Sequence, residues 1–142
     1  DLYDLTEWIL IEDAKKALNE KKDYAHWKEG LENIFAAVYE NKPFILNVYH
    51  DISKDQIEKV LFKLVHGLIE SIVEERSVET NLNEQQKNFI AYFYKYGFVG
   101  IMLDWIEKGM DENYNEIVDD LEKTVHGTID LSIKNFTNNK KW

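Results

Sequence analysis

Apolar side chains recur at helical spacing through most of the chain, and this pattern predicts six helical segments. The second and fourth segments carry the cleanest stripes. Residues three and four apart share one face of a helix, so each stripe is predicted to pack against a common core. The stripes are Trp27, Leu31, Ile34, Phe35 and Val38 in the second segment, and Ile57, Val60, Leu61, Leu64, Val65, Leu68, Ile69 and Ile72 in the fourth.

Polar residues at the segment boundaries predict where the helices begin and end. Pro43 suits the first turn of a short third helix that runs to Asp51, and Gly109 suits the end of the fifth. Side-chain caps are predicted at Asp4–Glu7, Asp23, Ser53–Gln56, Asn83–Gln86 and Asn113–Glu116. With one proline and six glycines in 142 residues, an all-β fold is excluded and the predicted fold is all-α.

The fifth segment, residues 89–110, is apolar nearly all round. A helix of this kind must be buried on several sides, and in a small protein one of those sides can meet another molecule. We predict that Phe89, Phe93 and Tyr96 face the core of the chain. Ile101 and Trp105 are predicted to lie nearer a partner subunit.

Two glycines in the middle of this segment favour close helix packing. Gly97 and Gly100 each cost roughly 1 kcal/mol of helix stability relative to alanine, which a closely approaching helix would explain. The last predicted helix, from Asn113 to Phe136, adds an apolar stripe with nearly heptad spacing. Two-fold symmetry would build a four-helix bundle from these two helices. The candidate interface residues are Gly97, Gly100, Ile101, Trp105, Leu121, Val125, Thr128 and Ser132.

The first segment, from Asp4 to about Lys21, has two separate apolar patches. Leu5, Trp8 and Ile9 form one patch, and Ile11, Ala14 and Leu18 form the other. Either the second patch contacts something that the chain lacks, or this is a frayed terminal helix. The residues alone do not separate these two interpretations.

Charge and cysteine content narrow the functional classes. Seventeen basic and 27 acidic residues give a net charge of −10, so this chain by itself is not expected to bind nucleic acid or an anionic membrane. It has no cysteine, which excludes disulfides and thiolate metal sites. Without a leader sequence or an apolar run of transmembrane length, a cytoplasmic location is expected.

The motifs of common catalytic sites are absent. There is no glycine-rich phosphate loop, no H-E-x-x-H and no G-x-S-x-G. None of the four histidines belongs to the E-x-x-H motif that a di-iron bundle needs. We therefore expect neither an enzyme nor a bound metal or cofactor.

A small-molecule pocket is the remaining candidate site. His66 lies at the border of the fourth stripe, one turn after Phe62. It is interpreted either as a half-buried histidine bonded to a neighbour or as the polar group of an aromatic pocket. Aromatic side chains at helical spacing fit a core equally well. The candidate pocket residues, between the second, fourth and fifth helices, are Trp27, Tyr49, Phe62, His66, Phe93 and Tyr96.

The run from Tyr92 to Gly109 resembles a segment of the TetR family of bacterial transcription regulators. Within that family it is similar to the C-terminal region of regulators like those of dihydroxyacetone kinase operons, where Y-G-x-x-G is followed by a tryptophan and a helix-ending glycine. The matching positions are Tyr96, Gly97, Gly100, Trp105 and Gly109. The opening residues, 1–9, resemble the start of the helix that follows the family's DNA-binding domain.

This resemblance implies a homodimer joined by its last two long helices. It also implies a C-terminal domain that senses a small-molecule effector or a protein co-regulator, and an N-terminal helix-turn-helix that binds operator DNA. The chain departs from the pattern because it contains no helix-turn-helix. We therefore expect residues 1–142 to form one effector-binding and dimerisation domain, which meets DNA only through the missing domain. The alternative is a helical protein-interaction module with a solid core and no sensory role.

Overall fold

The computed structural model describes residues 2–19 and 27–137, with only the backbone of residues 13–19. No strand occurs in these ranges, and the predicted all-α fold is confirmed. The helices are α1 (Leu2–Asn19), α2 (Trp27–Glu40), α3 (Lys42–Asn47, continued by a π-helical turn at Val48–Ile52), α4 (Lys54–Arg76), α5 (Glu84–Glu107), α6 (Tyr114–Val125) and α7 (Thr128–Thr137).

The long helices α4 and α5 pack along each other, and α2 packs against α1, α4 and α6. Phe35 of α2 is fully buried at the centre of this arrangement. Its ring meets the edge of Trp105 at 5.1 Å and stacks on Tyr114 at 6.1 Å. Trp27 meets Phe98 of α5 at 4.8 Å. The aromatic stripe predicted for α2 therefore forms the contact between α2 and the α5–α6 pair.

Three of the predicted caps are present. Asn83 accepts a hydrogen bond from the backbone N–H of Gln86 at 2.8 Å, and the Gln86 side chain accepts one from the Asn83 N–H at 3.0 Å. Ser53 caps α4 through the N–H of Gln56, and Asn113 caps α6 through the N–H of Asn115. Each cap satisfies a backbone donor that the first helical turn leaves without a partner. The cap predicted at Asp23 lies outside the described residues.

Replacing Asn83 by alanine is expected to lower the free energy of unfolding by about 1 kcal/mol, because the substitution removes the whole capping box. Asn88→Ala is the matched control, since Asn88 is exposed within α5, where alanine favours the helix. Urea unfolding followed by circular dichroism measures both. Equal stability of the two variants would contradict a stabilising role for this cap.

α1 begins earlier than predicted. The helix already includes Leu2, so Asp4 lies in its first turn and not at a cap. Leu10 and Thr6 are fully buried, whereas Leu5 and Trp8 are exposed by 47% and 62%. Leu5 and Trp8 of the first patch therefore lie at the surface. The side chains of Ala14 and Leu18 lie outside the described residues.

The last predicted helix is divided in two. His126 leaves the helical conformation with a ψ of 125°, and Gly127 has a φ of 74°, a left-handed conformation that glycine adopts without a steric penalty. After this break, Ile129 and Ile133 are buried, while Thr128 and Ser132, predicted to continue the stripe, are only partly buried. The apolar stripe of α7 is thus one residue out of phase with that of α6.

The orientation predicted for α5 is wrong. Phe89, Phe93 and Tyr96 were expected in the core, but they are 62%, 65% and 50% exposed. The buried side of α5 consists of Ile90, Ala91, Tyr94, Phe98, Val99, Met102, Trp105 and Ile106. Both sides of the helix carry aromatic residues, so periodicity alone does not distinguish the side that packs inward.

Candidate functional site

The most unusual surface of the molecule is one side of α5. Phe93, Gly97, Gly100 and Asp104 follow each other at spacings of four, three and four, so they form one line along the helix. A contiguous patch of exposed apolar side chains often marks an interaction surface. We call the surface the α5 face; its residues are Phe89, Phe93, Tyr96, Gly97, Gly100, Ile101 and Asp104.

The glycines of the α5 face have open space around them. A Cβ atom placed on Gly97 or Gly100 would meet nothing within 4 Å. By contrast, a Cβ on Gly30 would lie 2.3 Å from a methyl carbon of Leu68, so packing inside the chain does explain that glycine. Among the described residues, no contact requires glycine on the α5 face. Packing among the described residues therefore does not explain these two glycines, each of which costs about 1 kcal/mol in a helix.

A cleft of about 300 Å³ opens beside the α5 face, between α5 and α6. Trp105 forms part of its floor and donates a hydrogen bond from Nε1 to the carbonyl oxygen of Glu112 at 2.8 Å. At the rim, the Lys108 ammonium lies 3.0 Å from the Asp104 carboxylate, and this hydrogen bond raises the pKa of Lys108. The lining of this α5–α6 cleft is Ile101, Asp104, Trp105, Lys108, Glu112, Ile117, Asp120, Leu121 and Thr124.

A second, more open depression of about 450 Å³ lies between α4 and α5. We call it the α4–α5 groove; its lining is His66, Gln85, Asn88, Phe89 and Tyr92. His66 Nε2 lies 3.4 Å from a Glu70 carboxylate oxygen, and its buried Nδ1 has no hydrogen-bond partner among the described residues. The groove therefore combines the aromatic side chains of Phe89 and Tyr92 with the polar side chains of His66, Gln85 and Asn88.

Aromatic rings extend this groove along the surface. The Phe62 ring lies 5.1 Å from that of Tyr96, and the Lys95 ammonium lies 4.4 Å from the centre of the Tyr92 ring. Tyr96 donates a hydrogen bond to the Tyr92 hydroxyl at 3.2 Å, and this bond, more than burial, raises the pKa of Tyr96. These contacts hold the exposed rings in a fixed arrangement.

The six candidate pocket residues do not surround one cavity. Trp27 and Tyr49 are buried in the core at 3% and 6% exposure, and burial raises the pKa of Tyr49. The other four lie on the surface of the α4–α5 pair: Phe62, His66, Phe93 and Tyr96. Sequence analysis missed Phe89 and Tyr92 as groove residues, because nothing in their spacing separates them from core aromatics.

The candidate interface residues fall into three groups: exposed, buried in the core, and half-buried. Gly97, Gly100 and Ile101 share the exposed α5 face. Trp105 and Leu121, at 3% and 7% exposure, belong to the core and meet the surface only as walls of the α5–α6 cleft. Trp105 was predicted to lie near the partner subunit, but its ring turns inward onto Phe35. Half-buried positions are Val125, Thr128 and Ser132, and Thr128 is hydrogen-bonded to the Tyr94 hydroxyl.

The described residues contain neither a metal-binding cluster nor a membrane-spanning helix. Within residues 2–19 and 27–137, no group of three or more histidine or acidic side chains could hold a metal ion. None of the helices described is both long enough and apolar enough to cross a bilayer.

A family model for the TetR-type "Transcriptional regulator C-terminal region" matches residues 25–127, most of the chain. The chain belongs to this family. The TetR-type C-terminal region is a non-enzymatic regulatory fold, and regulators that carry it bind DNA and act as dimers. The match includes α2–α6 and therefore both the α5 face and the α4–α5 groove. Comparisons with curated proteins and with solved structures gave no match.

Proposed function

We propose that this TetR-type domain dimerises through its α5 face and senses a signal for an N-terminal helix-turn-helix that binds operator DNA. The observation that carries the proposal is the line through Phe93, Gly97 and Gly100. Phe93 is 65% exposed, and a Cβ on either glycine would meet nothing within 4 Å. A transcription regulator needs two copies of its reading head to bind a two-fold symmetric operator. A dimer of this domain would hold the two reading heads together.

The exposed apolar area is sufficient for such a dimer. Phe89, Phe93 and Tyr96 are each at least half exposed, and Ile101 and Leu131 of α7 are exposed by 42% and 54%. At roughly 150–250 Å² for each full aromatic side chain, this surface amounts to roughly 500 Å² per copy. Two copies would bury roughly 1,000 Å² of apolar surface, which is about the minimum for a biological interface.

Dimerisation is tested by sedimentation equilibrium of the 142-residue chain across the micromolar range. We expect a single species with twice the mass of the chain. A monomer throughout this range would overturn the proposed dimer.

The α4–α5 groove is the proposed place for the signal. His66 lies on α4, and α4 also packs against α1, the helix nearest the proposed DNA-binding domain. An effector that binds the groove more tightly in one arrangement of α4 than in another would shift the population of α1 positions. The spacing of the two DNA-reading heads would change with it.

Titration of the chain with candidate metabolites, followed by Trp27 fluorescence, tests the sensing function. Trp27 stacks on Phe98 of α5, so we expect its emission to respond when a ligand alters the α4–α5 pair. The measurement is made in a variant with Trp8→Phe and Trp142→Phe, and Trp105 is kept because its indole belongs to the core. His66→Ala is the control and should lower the ligand affinity at least tenfold.

A second candidate function is a protein-interaction module without a small-molecule effector. It is favoured by one observation: four of the six candidate pocket residues lie on the surface and not around an enclosed cavity. If no metabolite changes Trp27 emission while the chain still sediments as a dimer, this alternative is supported over the sensor.

A further inference from the structure

Phe93 lies near one end of the α5 face, and the α5–α6 cleft opens at the other end. We propose that Phe93 of each copy inserts into the α5–α6 cleft of the other, with the two α5 helices antiparallel and crossing at Gly97 and Gly100. This inference rests on the proposed dimer and specifies how its two copies fit together. It requires a protruding side chain, a cavity that accepts this side chain, and a two-fold symmetry that relates the two.

The cleft has the residue pattern of a knobs-into-holes packing site. Its four α5 residues are Ile101, Asp104, Trp105 and Lys108, which stand at positions i, i+3, i+4 and i+7. Four residues with this spacing form the hole that accepts one side chain of a facing helix. In this structure α6 deepens the hole by adding Ile117 and Leu121.

Two-fold symmetry relates this hole to Phe93. In an antiparallel pair centred between Gly97 and Gly100, each glycine lies opposite the other. Asp104 is four residues beyond Gly100, and Phe93 is four residues before Gly97, so these two residues also lie opposite each other. A contact between copies related by a two-fold axis is reciprocal, so one pairing fills both clefts.

The cleft fits a phenyl ring in size and chemistry. An apolar cavity of about 150 Å³ is enough to bind benzene, and the cleft measures about 300 Å³. Ile101, Ile117 and Leu121 supply apolar walls. Asp104 and Asp120 lie at the sides, and an aromatic ring presents a positive edge to such carboxylates. The Phe93 ring, 65% exposed in the single chain, would lose that exposure in the cleft.

A parallel dimer is the alternative arrangement of the same surface. Each residue of the α5 face would then meet its own counterpart, so Phe93 would lie against Phe93 and both clefts would stay open. The two arrangements place different residues in contact across the seam. Cross-linking can therefore distinguish them.

The experiment uses engineered cysteines, because the chain has none of its own. Chains carrying Phe93→Cys are mixed with chains carrying Asp104→Cys and oxidised under mild conditions. We expect a disulfide-linked dimer of one chain of each kind, since the two Cα atoms would be close enough to bridge. Phe93→Cys alone should give none, because the two positions are 11 residues, or about 16 Å, apart along antiparallel helices.

The matched control pairs Phe89→Cys with Asp104→Cys. Phe89 is one turn from Phe93 on the same exposed surface, so its position is displaced by about 6 Å from the proposed contact. We expect at least a fivefold lower yield of disulfide from this mixture. Equal yields from the two mixtures would overturn the proposed register.

A charge substitution provides an independent test that does not rely on oxidation. Phe93→Glu should weaken the dimer at least a hundredfold, because it removes the phenyl ring and adds a fourth carboxylate beside those of Asp104, Glu112 and Asp120. Adding Asp104→Lys to the same chain places opposite charges across an antiparallel seam, but like charges across a parallel one. We expect the double variant to recover at least tenfold of the lost affinity.

The outcomes separate this inference from the proposed function. If the wild type is a dimer but Phe93→Cys chains form a disulfide with each other, the antiparallel insertion is overturned and dimerisation stands. The same holds if adding Asp104→Lys to Phe93→Glu recovers no affinity. A wild-type monomer overturns both. The mixed disulfide together with recovery in the double variant supports the insertion.

Discussion

Trp105→Ala is expected to lower the free energy of unfolding by roughly 3–5 kcal/mol, the range for removing a large aromatic side chain from a core. Trp105 is 3% exposed, lies edge-on to Phe35 at 5.1 Å and meets the Tyr114 ring at 6.1 Å. Its indole also holds the loop before α6 through the hydrogen bond to Glu112. Since a whole domain is stable by only about 5–15 kcal/mol, this loss would leave it marginal.

Trp8→Ala is the matched control, because Trp8 is 62% exposed on α1. An exposed substitution of this kind changes stability by about 0.5 kcal/mol or less. Urea unfolding is measured for both variants at one protein concentration, because association of the folded chain adds to its apparent stability. A loss at Trp8 as large as that at Trp105 would contradict the assignment of Trp105 to the core.

Gly100→Leu is expected to raise the dissociation constant of the dimer at least a hundredfold, equivalent to about 3 kcal/mol. A leucine side chain on the line through Phe93 and Asp104 would hold the partner helix away. Inside the chain, a Cβ at Gly100 meets nothing within 4 Å, and the position is exposed. Replacing a helical glycine should even stabilise the monomer by close to 1 kcal/mol. Association and folding are thus expected to change in opposite directions.

Gly67→Leu is the control for this variant. Gly67 is also an exposed helical glycine with nothing within 4 Å of its Cβ position, but it lies on α4, outside the α5 face. We expect it to sediment as the wild type does. A Gly100→Leu protein that remains a dimer to the same dilution as Gly67→Leu would show that the glycine line is not the seam.

The helical elements could be predicted from the sequence because their signals are local. Asn83 and Gln86 satisfy each other's backbone donors within one turn, and Gly109 ends α5 with a φ of 82°. The stripe of α4 is apolar on one side only, so its buried side followed directly from its spacing. In each case the residues that determine the element are a few positions apart.

The inward side of α5 could not be predicted in this way. It is determined by residues distant in the chain: Trp27 packs on Phe98, and Thr128 bonds to the Tyr94 hydroxyl. Phe93 and Phe98 have the same chemistry, and only these tertiary contacts make one a surface residue and the other a core residue. The candidate pocket failed to converge for the same reason, since Trp27 was indistinguishable by sequence from a ligand-binding aromatic.

The break at Gly127 shifts the buried positions of the following helix by one residue. Every position after it has the role that an unbroken helix would give to the residue before. Ile129 and Ile133 thereby become the inner residues of α7, and Leu131 is 54% exposed. The backbone conformation of one glycine thus determines which residues of α7 are buried and which are exposed.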